Sequence, residues 1–323
     1  MSVPLTDLQK RLCVRLQEGL PFCVQPFAEI AGELGSTEAE VLQQTCELSK
    51  SGVIRRLSAV INPRALGMAS TLATAHVPAD QIDSVAAAVN ALPGVSHNYL
   101  RDHHYNLWFT LQAPSFERID ETLSGLQRQF DVEFHSLPVT QVFKLDVRFD
   151  PEDDGSLTQD VYEVPAVEPV TLRPAHKRIF ARLQQGVEIV SRPFDAWEPE
   201  AGDRKDVVRL LTELNALGVL RRIAAVMDHR KLGYTTNVML AAEAPAAAEA
   251  GRTLARFRAV SHCYERRTFE GWPFNLFAML HARSEADIAR TIGEFTATAD
   301  VRSYRLLPTV AELKKQPVRH QFF

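Results

Sequence analysis

Val95-Ser96-His97-Asn98-Tyr99-Leu100-Arg101-Asp102-His103-His104-Tyr105-Asn106-Leu107-Trp108-Phe109 is the stretch around which the chain is organised. Its first seven residues alternate as a strand does, so His97, Tyr99 and Arg101 share one face and Asn98 and Leu100 the other. A core strand has little use for such a face, because each of these groups needs a partner once it leaves water. The pattern returns in Val260-Ser261-His262-Cys263-Tyr264-Glu265-Arg266-Arg267, where His262, Tyr264 and Arg266 again share a face. Asn275-Leu276-Phe277 then echoes Asn106-Leu107-Trp108.

The echo extends through the chain. Gly52-Val53-Ile54-Arg55-Arg56-Leu57-Ser58-Ala59-Val60 matches Gly218-Val219-Leu220-Arg221-Arg222-Ile223-Ala224-Ala225-Val226 at an offset of 166 residues. Leu16-Gln17-Glu18-Gly19 matches Leu183-Gln184-Gln185-Gly186 at 167, and Ser96-His97 matches Ser261-His262 at 165. Offsets this constant mark one unit present twice. Between the copies, the acidic, proline-containing stretch from Phe149 through Pro174 reads as an extended linker.

Within the first copy, Leu5, Leu8, Leu12 and Leu16 carry helical spacing. A short helix over Phe27 to Leu34, a turn at Gly35-Ser36-Thr37 and a third helix over Glu38 to Ser51 follow. Gly52 stops that helix and a strand begins at Val53. Three helices and a strand pair outline a winged helix-turn-helix. Strand Thr71–Val77, helix Asp80–Ala91, strand Val95–Arg101, strand Asn106–Gln112, helix Ser115–Phe130 and a last strand within Val132–Val147 then give βαββαβ, the ferredoxin-like unit. The fold class is α+β, a tandem repeat of the two modules. Residues 1–62 and 63–148 form the first winged and ferredoxin-like domains, 149–174 the linker, 175–228 a degenerate winged helix-turn-helix and 229–323 the second ferredoxin-like domain.

Composition narrows the function classes. The chain has 323 residues, 46% hydrophobic and 24% charged, with net charge −4, so nothing global suggests a nucleic-acid binder. Cys13, Cys23, Cys46 and Cys263 show no paired framework and fit free thiols in a reducing compartment. No signal peptide and no apolar run of membrane-spanning length is visible, so a cytoplasmic protein without membrane contact is expected. No phosphate-binding glycine loop, nucleophile elbow or zinc signature occurs.

A winged helix-turn-helix followed by a ferredoxin-like domain resembles the Lrp/AsnC family of transcription regulators, over both halves. Within that superfamily, Ser96-His97-Asn98-Tyr99-Leu100-Arg101, Tyr105-Asn106-Leu107-Trp108-Phe109-Thr110, Ser261-His262-Cys263-Tyr264 and Gly271-Trp272-Pro273-Phe274-Asn275-Leu276-Phe277 are similar to the two subunits of the siroheme decarboxylases, fused head to tail. The resemblance implies loss of CO2 from the C12 and C18 acetates of siroheme, giving 12,18-didecarboxysiroheme on the way to heme d1 or heme b. Siroheme would be the partner, and no cofactor is implied beyond its own iron tetrapyrrole.

That chemistry assigns roles to residues. A polycarboxylate ring calls for arginines, whose fork matches a carboxylate: Arg55, Arg56 and Arg101 in the first half, Arg221, Arg222, Arg266 and Arg267 in the second. Arg55-Arg56 and Arg221-Arg222 also fit a solvated wing. Loss of CO2 needs one proton delivered to the vacated carbon, a task suited to histidine. His97 and His262 are each either the proton donor or an axial ligand of the siroheme iron, with His103 and His104 available for the remaining task. Tyr99 and Tyr264 would position a carboxylate or an imidazole. Asn106, Trp108 and Trp272 complete the candidate substrate-binding set, the tryptophans being packing residues in the plainer reading. Cys263, His76, His135, His229, His281 and His320 read as structural.

The competing class is a DNA-binding regulator. Its candidate recognition helix carries Glu38, Glu40 and Glu47 against Lys50, and the second copy is interrupted by Asp195-Ala196-Trp197-Glu198-Pro199-Glu200-Ala201. Phosphate contact needs the opposite charge, so DNA is not an expected partner. A tetrapyrrole carrier or sensor would share the pocket of the enzyme. The two halves should pair internally, with a further homodimer left open.

Overall fold

The computed structural model describes residues 3–152, 158, 167–197, 206–316 and 318. Three helices open the chain: α1 (Asp7–Glu18), α2 (Pro26–Leu34) and α3 (Glu38–Lys50). A capping box formed by Thr6 and Gln9 starts α1, and Leu12, Cys13 and Leu16 form its buried stripe. Thr37 caps α3. Strand β1 (Ile54–Ile61) and a 3-10 turn, Pro63–Leu66, lead into β2 (Ala69–Ala75), α4 (Ile82–Ala91), β3 (Val95–Arg101), β4 (Leu107–Ala113), α5 (Phe116–Phe130) and β5 (Phe134–Leu145). The second copy supplies α6 (Pro174–Leu183), a 3-10 turn over Asp195–Trp197, α7 (Asp206–Ala216), β6 (Leu220–Met227), β7 (Thr236–Glu243), α8 (Ala247–Ala255), β8 (Val260–Arg266), β9 (Leu276–Ala282), α9 (Glu285–Thr298) and β10 (Ser303–Lys315).

The wings depart from the expected strand pair in each half. Each copy has one wing strand, and β1 pairs antiparallel with β6 of the other copy, Leu57 opposite Ala225. Both helix-turn-helix regions then share a single hydrophobic core, with Leu12, Leu16, Phe27 and Ile30 from one side and Phe180, Leu211, Leu214 and Ile223 from the other. The linker is tied down at its described ends. Phe149 and Leu172 are buried in this core, and Gln17 exchanges two hydrogen bonds with the Phe149 backbone, at 2.8 and 2.9 Å.

The ferredoxin-like units join by their edges. Strands run β10-β3-β4-β2-β5-β8-β9-β7 and close back on β10, an eight-stranded barrel with every pair antiparallel. Closure depends on β5 and β10, each of which pairs with its own sheet first and with the other half's sheet afterwards. β5 leaves β2 at Pro138, and Val139 to Leu145 face β8; β10 leaves β7 at Pro308, and Thr309 to Lys315 face β3. Proline, lacking an N–H for the ladder, suits the residue at which a strand changes partner. Helices cover the outside through two further cores, and a fourth fills one end of the barrel with Trp108, Trp272, Phe274 and Phe277. Among the described residues, no helix is long and apolar enough to cross a membrane.

Candidate functional site

β3 and β8 carry the repeated faces. Val95 and Asn98 both turn toward the covering helix, Asn98 donating to Asn90 at 3.0 Å, because a bulge at Ser96 shifts the register between Val95 and His97. The same shift occurs between Val260 and His262. The bulge throws His97, Tyr99 and Arg101, and their counterparts His262, Tyr264 and Arg266, onto the helix-free face, with the histidines and tyrosines half-buried.

Each bulge serine holds the histidine beside it. Ser96 Oγ lies 2.8 Å from His97 Nδ1 and 2.7 Å from Thr110 Oγ1; Ser261 Oγ lies 3.0 Å from His262 Nδ1 and 3.2 Å from the Met279 carbonyl. Ser261 can only donate to that carbonyl, which leaves it to accept from Nδ1–H. The network therefore assigns His262 the tautomer with a free lone pair on Nε2. Burial holds both imidazoles at about 4, helped by Lys315 for His97 and by His97 and Arg266 for His262, so both are neutral near pH 7. Burial likewise pushes Tyr99 and Tyr264 up to about 12.

Several candidates lie elsewhere or are already engaged. Arg101 Nη1 donates to the Leu307 carbonyl at 2.7 Å and to Thr309 Oγ1 at 3.2 Å; Arg266 Nη1 donates to the Leu137 carbonyl at 2.9 Å. Each is a buried clamp from one half onto the switching strand of the other, so Arg101 is architectural rather than catalytic. His103 and His104 sit in the β3–β4 turn, at the far end of β3 from His97, roughly 15–20 Å along the chain direction. There His103 meets Trp272 edge-on and His104 stacks on His76, so neither can share the task of His97. Trp108 and Trp272 pack against each other inside the barrel at 5.5 Å, and at 1% and 3% exposure they offer no surface to a ligand. Asn106 exchanges two hydrogen bonds with the Val77 backbone at 2.8 and 2.9 Å, as Asn275 does with Ala244, which makes it a turn lock. Arg267 is exposed in the turn after β8, beyond the face.

Two expected arginines, Arg55 and Arg221, reach the faces, and Arg64, His229 and His281 join them unannounced. Arg64 and Arg221 approach Tyr264 closely enough to act on its charge, and Arg55 does so at Tyr99. Burial, then the charges of Arg222 and Arg64, hold Arg221 below the usual guanidinium range. His281, on the same face of β9 as Met279, feels the charge of His262 and lies 5.5 Å from His229. Burial lowers His281 to about 3 and His229 to about 4, and His281 Nδ1 is buried without a hydrogen-bond partner. Reading these two as structural therefore overlooked their position, although the alternation Phe277-Met279-His281 pointed there. Arg64 had a signal as well: Pro63-Arg64-Ala65-Leu66 recurs as His229-Arg230-Lys231-Leu232 at the common offset. Beside β6, a cleft of about 660 Å3 opens onto Arg221, Arg222, Asn215 and Arg15. Its size falls in the range of small-molecule sites. Among the described residues no group of three or more His, Cys, Asp or Glu is placed to hold a metal. His320 lies outside the described residues.

The AsnC-like ligand binding domain family matches residues 65–144 and 231–314, and the siroheme decarboxylase NirDL-like HTH domain matches 9–55. The siroheme decarboxylase of Hydrogenobacter thermophilus is 34% identical over 312 residues, spanning 94% of this chain and 92% of that one. This chain belongs to the siroheme decarboxylase family. A crystal structure of the siroheme decarboxylase NirDL in complex with an iron-uroporphyrin III analogue superposes with a TM-score of 0.71 at 29% identity, over 96% of this chain and 93% of that one. The siroheme decarboxylase alpha subunit of Desulfovibrio desulfuricans is 41% identical over 151 residues, 47% of this chain and 87% of its own. In this siroheme decarboxylase family chain, by contrast, both copies are covalently joined, and the seams between them run through the barrel and the wing ribbon.

Proposed function

We propose that this protein is a siroheme decarboxylase, a carboxy-lyase that removes CO2 from the C12 and C18 acetates of siroheme. The observation that carries the reading is His262 with its Nε2 lone pair free, on a face flanked by Tyr264, Arg64 and Arg221. Arginines suit the ring's carboxylates because the planar guanidinium offers paired donors and keeps its charge. Breaking the bond between the acetate methylene and its carboxylate sends the electron pair toward the macrocycle, CO2 departs, and the methylene takes up one proton to become methyl. The histidine has two uses here. Its neutral Nε2 is ready to bind the substrate's iron, and the approach of carboxylates favours its protonated form, the state a proton donor needs. The reading requires no cofactor beyond the substrate's own iron tetrapyrrole, and no DNA: α3 carries Glu38, Glu40 and Glu47 against Lys50.

Anaerobic incubation with siroheme followed by mass analysis tests this. The expected product has lost two CO2. Siroheme that binds and returns intact would identify a carrier and sink the enzyme. Substituting His262→Ala separates the two histidine roles: loss of an iron-ligand absorption band marks ligation, whereas an unchanged band with lost turnover marks proton delivery.

A further inference from the structure

The last strand of each half ends in the same way. Lys144 of β5 and Lys314 of β10 correspond at an offset of 170 residues. Each Nζ donates to a carbonyl at or just past the C-terminal end of a helix in the other half, Phe257 at 3.0 Å and Asn90 at 2.6 Å. Two residues on, Asp146 N donates to the Ser261 carbonyl at 2.9 Å and Gln316 N to the Ser96 carbonyl at 2.8 Å. Beyond Asp146 the chain runs into a groove of the second half. Phe149 is tied there to the Gln17 side chain, and its ring lies 5.6 Å from His229, 5.1 Å from Tyr234 and 5.3 Å from His281. The Asp150 carbonyl then accepts from Tyr234 Oη at 3.0 Å and Arg283 Nη2 at 3.1 Å. Beyond Gln316, residues 317 and 319–323 lie outside the described residues.

The groove itself is present in both halves. Met68 N closes the first wing loop on the Pro63 carbonyl at 3.0 Å, as Tyr234 N closes the second on His229 at 2.9 Å. The chain ahead of each first helix lies on these loops alike, Val170 N on the Ala65 carbonyl at 2.9 Å and Val3 N on that of Lys231 at 3.1 Å. Gln112 holds the place of His281, its N donating to the Gly94 carbonyl at 2.9 Å where His281 N donates to Ala259 at 2.8 Å. Gln184 holds the place of Gln17 at the offset of 167. One wall of the first-half groove has an unmet need. Gln112 Oε1 is buried without a donor among the described residues, a costly state for an amide oxygen.

We infer that the first-half groove is the dock for this chain's own C-terminal segment, fastened by Arg319 donating its guanidinium to Gln112 Oε1. Arg319 stands at the position of Phe149, at the same offset of 170 that relates Lys144 to Lys314. The exchange is matched chemically. An aromatic ring meets an imidazole in the second half, and a cation with five N–H donors meets an acceptor amide in the first. The arginine stem suits Pro63 and Met68, which are apolar where the second half has His229 and Tyr234. The hold is short. Met68 and Pro114 stand where Tyr234 and Arg283 grip Asp150, and neither side chain can donate, so the fastening ends at Arg319. It lies three residues beyond the bond from Gln316 to Ser96, the bulge that turns His97 onto its face.

Deuterium exchange of the full chain, read by fragmentation of its C-terminal peptide, tests this. The Arg319 amide is expected to exchange about tenfold to hundredfold more slowly than in the isolated peptide, the range that one hydrogen bond to a charged group supports. Amides from Gln321 onward should match the isolated peptide. Gln112→Leu removes the acceptor without leaving a polar orphan and should remove most of the protection at Arg319, as should Arg319→Ala. The double variant should lose no more than either single one. A chain carrying Gln184→Cys and Arg319→Cys is expected to be bridged within itself by a short bismaleimide, the bridge being located by peptide mapping. Exchange at Arg319 as fast as in the peptide, protection unchanged by Gln112→Leu, or additive losses in the double variant would each overturn the inference. So would a bridge found only between two chains, which would make the segment of a second copy the occupant.

Discussion

His97, His229, His262 and His281 are imidazoles whose surroundings favour the uncharged form, and this links the site to the stability of the protein. Their values lie at about 4, 4, 4 and 3, beneath the ~6.5 of a free imidazole. Between those values the unfolded chain binds protons that the folded chain does not, so stability rises with pH across the window. The contribution is whole above about pH 6.5 and is lost as the pH falls toward 4, summing to several kcal/mol in order of magnitude. Thermal melts between pH 7.5 and 4.5 should show the midpoint dropping through this range, and His281→Gln should flatten the profile; a flat profile in the unaltered protein would contradict the assignment. Arg101 and Arg266 lead to a different expectation. Arg266→Met leaves the Leu137 carbonyl without its donor, at about 1–3 kcal/mol by denaturant unfolding. The shared faces of His97 with Tyr99 and of His262 with Tyr264 were legible from alternation and its recurrence. The Arg55–Asp228 pair was not, because it joins residues 173 apart and nothing local in either segment names its partner.

At the scale of elements, the order of helices and strands in the ferredoxin-like units was legible because their apolar periods are clean and their caps, such as Ser115 on α5, are conventional. Strand partners were less so. A lone wing strand has the same alternation whether its neighbour lies in its own half or the other, and Leu57 opposite Ala225 satisfies both patterns. Pro138 and Pro308 were the unread clue that β5 and β10 change neighbours midway. The seam they create is tight. Gly251 of α8 packs against Phe143 of β5, and a Cβ there would run into the ring. Gly251→Ala should therefore destabilise the protein by about 1–3 kcal/mol through overpacking, measured as a lowered melting temperature. A companion Phe143→Leu should recover part of that loss, and failure of the pair to do so would remove the seam from the explanation.

The whole molecule is held across its two halves at the β1–β6 ribbon, the β5–β8 seam and the β10–β3 seam. The covalent connection is thus one link among several. Residues 1–152 and 167–323 expressed as separate chains should co-purify in equal amounts, checked by size-exclusion chromatography and intact mass; two species migrating apart would refute it. Joining the copies has a further consequence when the two faces are unequal. Free subunits of similar shape can sort into like pairs, two first halves or two second halves. Tethering raises the local concentration of each copy around its complement far above that of any stranger. Every polypeptide made therefore delivers one mixed pair, its ratio of first to second half fixed at translation.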